Sequence, residues 1–118
     1  MNNFDLEERC VVYAENLICL CKKISITTLN MRIISQVIGS SGSIGANYCE
    51  ACEAESKKDF QHKMSIAKKE IKETKHWIRL LANTNPEIKN DLRILWKEAH
   101  ELLLIFSKSI NTSKKLYK

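Results

Sequence analysis

Two runs of apolar residues in the second half of the chain leave little choice of fold. Phe60, Met64, Ala67, Ile71, Thr74, Ile78 and Leu81 alternate steps of four and three, and so do Ile88, Leu92, Leu95, Ala99, Leu102 and Phe106. That spacing lines side chains along one stripe of an α-helix and conflicts with the period of two that a half-buried strand requires. Only Ala82, Asn83-Thr84-Asn85-Pro86 and Glu87 separate the runs. Asn85 is expected to cap there and Pro86 to take the first helical position. So short a connection turns one helix back antiparallel to the other.

The first half carries two weaker patterns. One stripe runs Cys10, Ala14, Leu17, Cys21, Ile24, with Val12, Tyr13, Cys19 and Leu20 lying off it. A helix apolar over more than one face points to self-association. The other runs Met31, Ile34, Ile38, Ser41, Gly45, Tyr48, Cys52, with Val37, Ile44 and Ala51 alongside. The boundary between them falls somewhere in Ser25 to Asn30, and Ser56 followed by Asp59 resembles a capping box for the third helix. With only three glycines and one proline among 118 residues, the chain lacks the turn formers of an all-β fold. These readings predict an all-α, antiparallel up-down-up-down four-helix bundle forming one domain over 1–118, with a basic tail expected to fray from about residue 111.

Gly39, Gly42 and Gly45 sit three apart in the stretch GSSGSIGANYCEAC. No lysine follows them as in a phosphate-binding loop, no strand precedes them as in a dinucleotide fold, and the spacing is wrong for a nucleophile turn. The helical register passes straight through. Gly42, Gly45, Ala46 and Cys49 are therefore expected to form a small-residue face for close helix packing.

Other motifs fall short of a catalytic or metal site. Cys49-x-x-Cys52 lacks two further zinc ligands and a βαβ context, so both are expected to be core cysteines. Glu73-x-x-His76 has no second copy to complete a di-iron set, and His62 and His100 are unpaired with it. No paired acid and base stand out, so neither enzyme activity nor a cofactor is expected. The five cysteines are an odd number in a chain whose N-terminus has no basic, apolar leader, and Glu15, Asn16 and Lys22 interrupt the longest apolar stretches. A reduced, cytoplasmic protein with no membrane span is expected.

Charge is the informative feature. The net charge is +5, yet the first half is acidic; residues 57 to 82 alone hold eight basic and three acidic groups. Lys68, Lys72, Lys75 and Arg79 form a stripe beside the core positions of the third helix, and Lys89, Arg93 and Lys97 repeat at four on the next. Merged, these seven cations make a candidate nucleic-acid-binding face. The bland alternative is a solvated surface neutralised by Glu70, Glu73, Glu98 and Glu101. Trp77 and Trp96 flank the stripes and could stack on bases or close a core edge.

The segment SIGANYCEACEAESKKDFQHKMSIAKKEIKETKHWIRLL, residues 43 to 81, resembles the bacterial 23S rRNA intervening-sequence (S23-like) proteins. The resemblance rests on Ser43, Ile44, Asn47 and Glu50, then Ser56, Lys57, Asp59 and Phe60, then Glu73, Thr74, Trp77 and Ile78. Relatives with the Ser-Ile-Gly-Ala-Asn version usually carry an arginine where this chain has Gly39. The resemblance implies a four-helix bundle assembling as a homopentameric ring, with no catalytic residues to carry over. It extends to the accessory variability determinants of diversity-generating retroelements, which bind nucleic acid and a reverse transcriptase. A non-enzymatic oligomer binding RNA or DNA is thus expected, the alternative being a protein-interaction scaffold or accessory subunit, for example for a reverse transcriptase.

Overall fold

The computed structural model describes residues 3–116, which form four α-helices. These are α1 (Asn3–Cys21), α2 (Met31–Cys52), α3 (Lys57–Thr84) and α4 (Lys89–Leu116), with one 3-10 turn, Pro86–Ile88, leading into α4. They lie side by side in a rod of 48 × 21 × 21 Å. None of the described helices is long and apolar enough to cross a membrane.

The stripes of α3 and α4 are buried as their spacing requires, with only the end residues Phe60 and Ile88 half-exposed. Ser56 caps α3, its hydroxyl accepting from the Asp59 backbone N–H at 3.0 Å. Asp59 also places a negative charge in the first turn, where the helix dipole favours it. Helix α4 continues beyond the expected fray point to Leu116. Ser113 extends the stripe of Phe106 and Ile110, is buried, and accepts from Gln61 Nε2 at 3.1 Å, which keeps this polar stretch helical. Tyr117 and Lys118 of the expected tail lie outside the described residues.

At the opposite end Pro86 opens the turn as expected, but the Asn85 side chain does not cap it. Its Oδ1 instead accepts from Asn30 Nδ2 at 3.1 Å, and its Nδ2 donates to Glu87 at 2.9 Å. Asn30 is fully buried; it also donates to the Ser25 carbonyl and accepts from the Thr27 N–H at 2.7 Å. The α1–α2 and α3–α4 connections are thereby tied together, and among the described residues no buried side-chain nitrogen or oxygen lacks a partner.

In the first half each expected stripe is buried in part, and further residues share the core with it. The core side of α1 is Leu6, Cys10, Tyr13, Leu17, Leu20 and Cys21, with Ile24 buried just beyond it; Ala14 is half-buried. Tyr13 enters the core because its hydroxyl can donate to the Leu95 carbonyl at 2.9 Å. In α2 the buried set is Ile34, Val37, Ser40, Ser41, Ile44, Tyr48 and Ala51, while Met31 and Cys52 are exposed. Ile34, Ser41 and Tyr48 of the expected stripe are buried, joined by Val37, Ile44 and Ala51 from beside it and by Ser40. The hydroxyls of Ser40 and Thr74 lie 2.9 Å apart, so small polar residues join α2 to α3 in the core.

Of the expected small-residue face, only Gly45 makes a close approach. A Cβ there would meet Cys10 Cβ at 3.3 Å, whereas Gly39 and Gly42 face open space and Ala46 is exposed. The core assignment for the paired cysteines also fails: Cys52 is exposed, and Cys49 is half-buried with its thiol donating to Glu7 at 3.1 Å. That bond, reinforced by desolvation, pushes the Cys49 thiol up to about 11.

Candidate nucleic-acid interface

The stripes on α3 and α4 converge near the turn that joins them. Arg79 from α3 and Lys89, Arg93 and Lys97 from α4 line one open cleft of about 490 Å³, floored by Ile78, Ala82 and Leu92 and walled by Trp96. The cleft forms because residues at steps of three and four on α4 share one helix side, and the turn brings the end of α3 against it. Four cations meet there, with no carboxylate in the lining.

The other three predicted cations lie along α3, away from the cleft. Lys75 packs its Nζ 4.3 Å from the centre of the Trp96 ring and 3.0 Å from His100 Nδ1. His100 itself stacks on Trp96, ring centres 5.7 Å apart and planes 4° from parallel. Desolvation first, then the neighbouring Lys72 charge, holds the Lys75 pKa below the ordinary lysine value. Lys72 is exposed, and Lys68 lies a turn further on. Trp77 is not part of the cleft; it packs against the core and meets His76 edge-on at 5.0 Å.

Two of the four acidic groups weighed against this face, Glu98 and Glu101, are held by α1. Arg9 of α1 donates to both oxygens of Glu98 at 2.8 Å and to Glu101 at 2.7 Å. Bonding from Arg9 holds the Glu98 carboxyl below its usual range. Desolvation, and then the neighbouring Glu73 carboxylate, raise the Glu70 carboxyl above its usual range. Among the described residues, none of the seven cations pairs with a carboxylate. Arg9 is the contributor that sequence reasoning missed, since its partners lie 89 and 92 residues away.

A larger cleft of about 980 Å³ lies at the far end, where α3 begins and α4 ends, and contains none of these seven cations. Its lining mixes Glu55 with Lys57 and Lys108 among serines and apolar groups. No group of three or more potential metal ligands occurs among the described residues.

An all-α four-helix fold bearing a cationic cleft with an aromatic wall is the class this geometry defines. The chain belongs to the 23S rRNA-intervening sequence protein family, whose model matches residues 3–108. It is similar to a protein of unknown function from the S23 ribosomal protein family of Bacteroides thetaiotaomicron VPI-5482, known from a crystal structure at 1.70 Å resolution. The two are 27% identical, with a TM-score of 0.80 over 94% of this chain and 99% of that one. No functionally curated protein matches the chain.

Proposed function

We propose that this is a non-enzymatic, cytoplasmic four-helix bundle that assembles as a homopentamer and binds the phosphate backbone of RNA or DNA through α3 and α4. Arg79, Lys89, Arg93 and Lys97 make the central contacts, and Lys75, Lys72 and Lys68 extend them along α3. The observation that carries this reading is the gathering of four cations on one cleft while Arg9 withholds Glu98 and Glu101 from it. Counterion release from the polyanion is the driving force. An up-and-down antiparallel course is supported by paired contacts running in opposite senses: Arg9 meets Glu98, and Tyr13 meets Leu95. Assembly is supported by apolar side chains left uncovered on α1 and α4: Val11 and Val12 are 43% and 41% exposed, Ile94 67% and Leu104 57%.

Sedimentation of the protein alone and with a structured RNA tests both parts. The expected outcome is a pentamer that co-sediments with RNA, and loss of that association in the Arg79→Glu, Arg93→Glu variant. A monomer contradicts the assembly, and RNA binding indifferent to the double charge reversal contradicts the interface.

A further inference from the structure

We infer that the α3–α4 cleft takes an unpaired nucleobase stacked against Trp96, its flanking phosphates held by Arg79, Lys89, Arg93 and Lys97, so that the protein prefers single strands. This rests on the backbone-binding reading and adds the ligand's other half. Trp96 walls the cleft, whereas Lys75 and His100 contact the same indole and line no part of it. Lys75 lies one turn before Arg79 on α3 and His100 one turn after Trp96 on α4, both farther along the chain from the α3–α4 connection. Because neither belongs to the lining, the part of the indole that does line the cleft is open to a ligand.

The lining has two chemistries at once: an apolar floor with a planar aromatic wall, and a rim of four cations without an acid. A phosphate alone leaves the floor and the indole uncovered, and a duplex keeps its base faces stacked inside. An unpaired nucleotide satisfies both, because every base offers a π-face and carries its charge on the attached phosphate. The volume of about 490 Å³ is in the range of sites that hold one small ligand. RNA and DNA share this chemistry.

The test titrates the full chain with oligouridylate, oligothymidylate and a blunt RNA duplex. Trp96→Leu is expected to weaken single-strand binding by about fivefold or more, the lower range for one stacked base, while duplex binding changes little. Trp96→Phe, which keeps an aromatic face, should restore most of the loss. A second readout uses Trp77→Phe, which leaves Trp96 as the sole tryptophan of the two. Its emission should be quenched by the single strands and not by the duplex. If Trp96→Leu binds single strands as well as wild type and the emission is unmoved, while Arg79→Glu, Arg93→Glu still abolishes binding, the base site is overturned and backbone binding stands. Failure of wild type to bind any of the three polymers overturns both, and tighter binding of polyglutamate than of either single strand overturns the nucleotide assignment.

Discussion

Arg9 sets the charge balance of α4. Its guanidinium grips Glu98 with two 2.8 Å bonds and reaches Glu101 with a third, so Lys97, one and four residues before these acids, lines the cleft without a carboxylate partner among the described residues. Local spacing hid this. Glu101 stands four residues after Lys97, the separation of a helical ion pair, and nothing in the chain announces a competitor on α1. Because Arg9 lowers the folded-state pKa of Glu98, the pair stabilises the fold above the ordinary glutamate value of 4.5, and that contribution is lost as pH falls through the depressed value. Side chains 27% and 31% exposed limit it to about 1 kcal/mol or less. Denaturant midpoints measured down an acid series should therefore fall less steeply in Arg9→Met than in wild type below pH 4.5. Equal slopes would rule out the coupling.

The four helices differ in how much of their burial the sequence exposes. In α3 and α4 one apolar stripe runs through polar surroundings, so the phase is unambiguous, and Met64 through Leu81 and Leu92 through Phe106 are buried as spaced. In α1 and α2 small and apolar residues cover more than one face, and composition does not choose between Tyr13 and Ala14 or between Ile44 and Gly45. The choice is made by tertiary partners: the Leu95 carbonyl for Tyr13, and the Cys10 side chain for Gly45. The three glycines of α2 consequently part company. Gly39→Ala and Gly42→Ala, each with open space at the Cβ, should raise stability by about 1 kcal/mol through helix propensity. Gly45→Ala should gain little or nothing, because Cys10 must give way. Calorimetric melting checks the contrast; destabilisation at Gly39 or Gly42 would reveal a neighbouring copy packed on that face.

At the scale of the molecule, the asymmetry of charge was legible by counting and the two basic stripes by spacing, while the cleft was not. The short connection brings the ends of α3 and α4 together, but the lining depends on how their side chains pack, with Trp96 in it and Lys75 and His100 against the same indole outside it. Spacing treated seven cations as equivalent; the fold concentrates four and spreads three along α3. The most direct test of this arrangement is the salt dependence of binding to single-stranded RNA. Log K should fall against log salt with a slope of about −3 or steeper, each of the four cleft cations contributing about −0.7, and Arg93→Gln should flatten it by about that single increment. A slope near zero, or one unchanged when Arg79 and Arg93 are both replaced by glutamine, would contradict the assignment of the α3–α4 cleft as the nucleic-acid interface.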